Sequence, residues 1–89
     1  MRRADIVKRS LIMESIHDER NRQHEQWDRA HAWGWGDCSS PDVPAIVKAA
    51  VLTEETGEVA RAVMEHDDDG LRRELVQVAA VAVAWLEAL

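Results

Sequence analysis

The sequence contains no phenylalanine or tyrosine, and it has only one cysteine, two prolines and four glycines among 89 residues. The single cysteine, Cys38, excludes an internal disulfide, so we expect a reducing compartment. Basic residues do not dominate either, since the formal net charge is −6. Because affinity for a nucleic-acid polymer rests on clustered Lys and Arg, we expect no such polymer as a partner.

Long apolar runs are also missing. Between Leu75 and Leu86 the only polar residue is Gln77, but these 12 residues are too few to cross a bilayer. The N-terminus is basic, but charged residues interrupt the apolar stretch that follows, so no signal peptide is predicted. We therefore expect a cytoplasmic protein with no membrane partner.

The residues that are abundant favour helices. Hydrophobic residues make up 46% of the chain, and Ala, Val, Leu, Glu and Arg prevail, as is typical of packed helices. Periodicity and breakers predict helices at about Asp5–Arg29, Pro44–Glu65 and Leu71–Leu89, with Asp69 as the N-cap of the third. The prediction is an all-α fold, a single domain over residues 1–89 with about three helices.

The third predicted helix is apolar nearly all round, and a chain of this length builds only a modest core. We therefore expect oligomerisation to complete the helical bundle. The segment between the first two helices contains glycines and serines together with Trp33 and Trp35, which predicts an ordered loop. These tryptophans could form a lid that excludes water or could pack over the end of the bundle.

Three glutamates on the second helix carry the clearest chemical signal. At about 100° per residue, Glu54, Glu55 and Glu58 fall within an arc of roughly 100°, and Val47 and Val51 share it. A solvated acidic face would not normally carry valines, and crowded carboxylates repel one another unless a cation neutralises them.

A fourth glutamate, Glu74, stands on the third helix in line with Leu71, Val78 and Val81. Mg²⁺ prefers oxygen ligands and tends to keep several waters, so a few carboxylates and substrate phosphates can complete its shell. The pattern predicts a divalent-metal site built by two helices, with Mg²⁺ as the expected ion and Mn²⁺ as an alternative.

These segments resemble the motifs of a known family. The motif EExxE corresponds to Glu54–Glu58, its partner ExxD to Glu74–Gln77, and an upstream Gln-containing helix ends at Trp27. From roughly residue 14 onward the chain resembles the all-α nucleoside triphosphate pyrophosphatase superfamily, the MazG-like proteins. The resemblance implies an enzyme that hydrolyses a (d)NTP to the monophosphate and pyrophosphate with Mg²⁺, as nucleotide-pool housecleaning, in dimers or tetramers of helical bundles.

The resemblance also implies roles for the acidic residues. Glu54, Glu58 and Glu74 are the main metal ligands by their direction on the helices. Glu55, at the edge of the arc, is the catalytic candidate, a ligand that also orients or deprotonates the attacking water.

One position departs from the motif, because Gln77 stands where the motif has Asp. Its carbonyl oxygen can ligate Mg²⁺, but it adds no charge and cannot act as a base. Direct ligation and a polar residue tolerated at a helix interface both remain open. The alternative function is a non-catalytic module that binds metal or nucleotide, or only oligomerises, and lost its activity with this replacement.

Substrate contacts are expected from the first two helices. Trp27 could stack on a nucleobase and Gln23, one turn earlier, could hydrogen-bond to a base edge; ordinary core packing is the alternative. Arg20 or Lys48 could bind phosphate, although a lone basic side chain is more often solvated.

Overall fold

The computed structural model describes residues 2–89 and contains three helices and one short hairpin. In chain order the elements are α1 (Arg3–Gln26), β1 (Ala30–His31), β2 (Gly34–Trp35), α2 (Ala45–Met64) and α3 (Asp68–Glu87). The predicted all-α class is confirmed, and the predicted helix bounds are correct to within about three residues. Within residues 2–89, no helix has both the length and the apolar character needed to span a bilayer.

The central element is α3, which packs against both other helices. Its inward side carries small residues, Ala80, Val81 and Ala84, all of which are buried. Small side chains allow close helix approach on two sides. Within the described chain α1 and α2 contact α3 but not each other. The fold therefore leaves a groove between α1 and α2, with α3 as its floor.

Only the C-terminal half of α1 packs against the rest of the protein. From Ile16 onward, residues at helical spacing are turned inward, whereas every residue from Arg3 to Ser15 is exposed. The inward positions include the polar residues Arg20 and Gln23, which interrupt the apolar line in the sequence. Of these two residues, Gln23 lines the groove between α1 and α2.

The turn between α2 and α3 corrects one predicted detail. The N-cap of α3 is Asp67 and not Asp69, since the Asp67 side chain accepts a hydrogen bond from the N–H of Gly70 at 2.9 Å. α2 ends in a Schellman motif, in which Asp67 N–H donates to Ala62 O and His66 adopts φ +54°. Asp67 therefore contributes to both helix ends, since its N–H bonds to the last turn of α2 and its side chain caps α3. As a result, α3 begins three residues earlier than predicted.

The predicted loop contains a two-stranded antiparallel hairpin. Ala30 pairs with Trp35 and His31 with Gly34. Gly34 has φ +128°, and a Cβ there would lie 2.9 Å from the carbonyl oxygen of Asp42, so both conformation and space require glycine. Strands of two residues are too short to show an alternating pattern, and the sequence therefore gives no sign of them.

Candidate active site

A groove of about 760 Å³ lies between the C-terminal half of α1, the hairpin and α2. Five residues predicted for metal or substrate contact line it: Gln23, Trp27, Glu54, Glu55 and Gln77. The fold thus brings α1, which carries the predicted base contacts, opposite the acidic residues of α2 and α3. A groove of this size is in the range of small-molecule sites.

Glu55 is the acid of α2 whose carboxylate approaches the Gln77 side chain. Its side chain is half-buried, and burial is the main cause that raises its pKa. Neighbouring negative charges raise the pKa further, and they come from Glu74, Glu54, Glu58 and Glu19. An acid with a raised pKa in a groove is a candidate for proton transfer.

Gln77 connects the acids of the two helices. With its amide nitrogen turned toward them, it donates hydrogen bonds to Glu55 Oε2 at 3.0 Å and to Glu74 Oε2 at 2.8 Å. This orientation follows from the neighbours, because both are acceptors and would repel the amide oxygen. The carboxylates of α2 and α3 therefore converge on one side chain.

The remaining predicted ligands are more dispersed. Glu54 is exposed, and Glu58 lies 3.9 Å from Arg61 on the outer part of α2. Within residues 2–89, no three His, Cys, Asp or Glu side chains gather closely enough to hold an ion. The donors that do converge, Glu55 and Glu74, fit Mg²⁺ as a pair because this ion is commonly held by one or two carboxylates, with waters and substrate phosphates as its other ligands.

Trp27 forms the aromatic wall of the groove. The Arg29 guanidinium lies 4.9 Å from the centroid of its ring, and the His31 ring meets it edge-on at 5.7 Å. Gln23 donates from its amide nitrogen to Glu19 Oε2 at 3.0 Å. Of the two hairpin tryptophans, Trp33 lines the groove while Trp35 does not.

Arg20 does not line the groove. Its guanidinium is buried and binds Asp37 Oδ2 at 2.5 Å and both carboxylate oxygens of Glu87 at 3.0 Å. Burial acts to raise the pKa of Asp37, but hydrogen bonds from Ser39 and the charge of Arg20 outweigh it and the pKa lies below its ordinary value. Arg20 was predicted to bind phosphate, but it instead links α1 to the segment after the hairpin and to α3.

Lys48 is also away from the groove. Only 4% of its surface is exposed, and within residues 2–89 it makes neither an ion pair nor a side-chain hydrogen bond. Cys38 does line the groove, but burial raises the pKa of its thiol, which keeps it protonated and weakly nucleophilic.

Sequence reasoning missed Arg22, the basic residue of α1 that does line the groove. It makes two hydrogen bonds to Glu19, at 2.7 and 2.6 Å, and one to Gln26 Oε1 at 2.8 Å. The hydrogen bond from Arg22 is the main reason that the pKa of Glu19 is lowered. The i, i+3 spacing of Glu19 and Arg22 was visible in the sequence, but it did not reveal which face of α1 meets the groove.

The fold and the groove define an all-α protein with an acidic cluster facing an aromatic wall. Residues 47–87, which contain most of α2 and all of α3, match the family model of the MazG nucleotide pyrophosphohydrolase domain. The resemblance identified from the sequence is thereby confirmed for the two helices that carry its EExxE and ExxD elements. The match indicates a nucleotide pyrophosphohydrolase as the class of enzyme, and it does not extend to the Trp-ended helix α1.

No curated protein and no solved structure matches the chain.

Proposed function

We propose that this chain is a Mg²⁺-dependent pyrophosphohydrolase that cleaves (d)NTPs to the monophosphate and pyrophosphate and serves in nucleotide-pool housecleaning. The observation that carries the proposal is the groove itself, in which Trp27 and Gln23 of α1 face Glu54 and Glu55 of α2. This arrangement supports a nucleotide whose base lies against α1 while its phosphates reach the acids. The family match over residues 47–87 supports the reaction class.

Glu55 is the residue we assign to the attacking water. Desolvation and the neighbouring carboxylates raise its pKa, and a more basic carboxylate is better suited to accept a proton. Glu55 and Glu74 would hold the cation, with Glu54 and Glu58 as further candidate ligands. A bound divalent cation supplies Lewis acidity, which withdraws charge from the phosphate oxygens.

Base and phosphate contacts come from α1. Trp27 offers a stacking surface. Gln23 uses one N–H of its amide on Glu19, so its second N–H and its carbonyl oxygen are left to donate to and accept from a base edge. Arg22 replaces Arg20 and Lys48 as the phosphate contact in this proposal, since it alone of the three lines the groove.

The proposal is tested by measuring pyrophosphate and nucleoside monophosphate from a panel of NTPs and dNTPs, with Mg²⁺ and with EDTA. We expect equal amounts of the two products, and only with the cation, while the panel ranks the bases. Mn²⁺ in place of Mg²⁺ is expected to support the same reaction.

Absence of pyrophosphate from every nucleotide would favour the second candidate function, a non-catalytic metal-binding or nucleotide-binding module. The observation behind this alternative is Gln77, which replaces the motif's Asp. The two functions separate in a thermal melt with Mg²⁺ and a nucleotide, because a binding module is stabilised without product being formed.

We also propose that the chain acts as a single-domain homo-oligomer, a dimer or a tetramer. Apolar side chains along the N-terminal half of α1 are 46–59% exposed: Ile6, Val7, Leu11, Ile12 and Met13. Further apolar surface is open on α3, where Leu75 is 50% and Leu86 68% exposed. Exposed apolar surface of this extent is typical of an interface.

A charge introduced into this surface is expected to weaken assembly. Leu11→Lys should shift the mass measured by light scattering from an oligomer toward the monomer, because a buried lysine in the interface is desolvated without a partner. Ser15→Lys, which adds the same charge at an exposed polar position of α1, is the control and should leave the mass unchanged. A wild-type monomer at every concentration would contradict the oligomer.

A further inference from the structure

Gln77 stands where the acids of α2 and α3 meet. With its amide turned so that the nitrogen faces the acids, as these two acceptors favour, the nitrogen lies 3.0 Å from Glu55 Oε2 and 2.8 Å from Glu74 Oε2. Within residues 2–89, neither glutamate forms an ion pair with a Lys, Arg or His. The amide is therefore the one donor in the described chain that serves both carboxylates.

The chemistry of this contact matters because the acids are crowded. Two half-buried carboxylates repel each other, and an amide NH₂ can direct one N–H to each of them. An Asp at this position, as in the ExxD motif, would add a third carboxylate in place of a donor. Gln77 is thus suited to hold the acids together when no cation is present.

We propose that Gln77 is a positioning residue that clamps Glu55 and Glu74 in the metal-free protein, and that its amide must turn for a divalent cation to enter. An N–H group cannot coordinate a cation, so the clamp and the cation compete for the same carboxylate oxygens. After the turn, the amide oxygen faces the ion as a neutral ligand. Rotation about this terminal torsion is permissive, which makes the exchange possible without moving either helix.

Two consequences follow for the metal. The acids are preassembled before the cation arrives, and the cation binds more weakly than it would to a carboxylate at position 77, because it must displace the clamp and gains no charge from the amide. The clamp rests on the proposed function only for the identity of the cation, since the amide contacts involve side chains of this chain alone.

The turn of the amide is tested by NMR of the side-chain amide groups in ¹⁵N-labelled wild-type protein titrated with Mg²⁺ alone. The Gln77 signal, assigned by its loss in Gln77→Glu, is expected to shift as the N–H groups leave the carboxylates. Gln26 is the internal control, because it lines the same groove but bonds to Arg22 through its oxygen. A Gln77 signal that moves no more than that of Gln26 at high Mg²⁺ overturns the proposal.

The energetics of the clamp are tested with Gln77→Glu, which keeps the side-chain length and exchanges the donor for a charge. Without metal we expect its melting temperature to fall by about 5 °C. By calorimetry with Mg²⁺ alone, we expect its affinity to rise about tenfold or more. Arg72→Gln changes the charge by the same amount at an exposed polar position of α3 and should change neither value. Wild-type melting and wild-type affinity in Gln77→Glu overturn the clamp.

These measurements use no nucleotide, so they separate the clamp from the proposed enzyme activity. Pyrophosphate release without the NMR shift would support the proposed enzyme activity and rule out the Gln77 clamp. The NMR shift without pyrophosphate release would support the Gln77 clamp and indicate that the protein is a non-catalytic metal-binding protein.

Discussion

Replacing Arg20 with methionine is expected to lower the free energy of unfolding by about 3 kcal/mol. Methionine keeps much of the buried stem but leaves Asp37 without its cation. The Asp37 side chain is 5% exposed, so its charge would remain buried and only partly satisfied by the hydrogen bonds from Ser39. The bidentate contact with Glu87 would be lost as well, although this carboxylate is 47% exposed and water can replace the guanidinium there.

The measurement is chemical denaturation of wild type and variant, with Arg61→Met as the control. Arg61 is also helical and ion-paired, but its side chain is 68% exposed, so this control should stay within about 0.5 kcal/mol of the wild type. A similar loss of unfolding free energy in the two variants would show that the buried ion pair of Arg20 stabilises the protein no more than an exposed pair does.

The pH dependence of stability provides a second check on the same pair. The folded pKa of Asp37 lies below its ordinary value of 3.8, so the unfolded state takes up a proton first as the pH falls. The stability from this pair is therefore present above pH 3.8 and is lost as the pH falls toward the lower folded pKa. In Arg20→Met the charge that lowers the pKa is missing, and we expect a weaker loss of stability in acid.

Glu55→Gln is expected to reduce Mg²⁺-dependent pyrophosphate release by at least about 100-fold. The amide keeps the size of the side chain but cannot accept the proton of the attacking water, and it removes one of the two carboxylates that converge on Gln77. Initial rates should be compared at saturating nucleotide and over a Mg²⁺ titration. A loss that high Mg²⁺ fully restores would assign Glu55 to metal binding alone.

The same substitution should leave the fold intact. Burial and neighbouring carboxylates raise the pKa of Glu55, which means that its charged form is disfavoured in the folded protein. A neutral amide relieves this repulsion, so the metal-free variant should melt no lower than the wild type. Glu65→Gln, an equal charge change at an exposed position just after α2, is the control and should retain full activity.

Several parts of this protein could be predicted from the sequence because their signals are local. Pro44 marks the start of α2, and helix-forming composition together with helical periodicity predicts the all-α class. The EExxE and ExxD elements predicted the family, since the spacing of acids on a helix survives in the linear sequence. Gln23 and Trp27, which were predicted as substrate contacts from their spacing of one helical turn, both line the groove.

Other assignments failed where the angle between helices was needed. On α1, Arg20 and Gln23 belong to one predicted line, yet the packing of α3 turns Arg20 toward Glu87 and Asp37 while Gln23 lines the groove. Lys48 is turned toward the interior for the same reason. The hairpin was missed because its order rests on contacts such as that of Trp35 with Asp42, seven residues away.

The sequence by itself determined the helices, the family and the acidic residues of the candidate site, because each of these depends on residue type and on spacing along one helix. Tertiary structure alone decided that Glu55 is the acid of α2 that approaches Gln77, that Arg22 and not Arg20 lines the groove, and that Gln77 joins the acids of α2 and α3. The physical reason is that a helical pattern fixes angles around its own axis, whereas which side meets another helix depends on how the helices pack together.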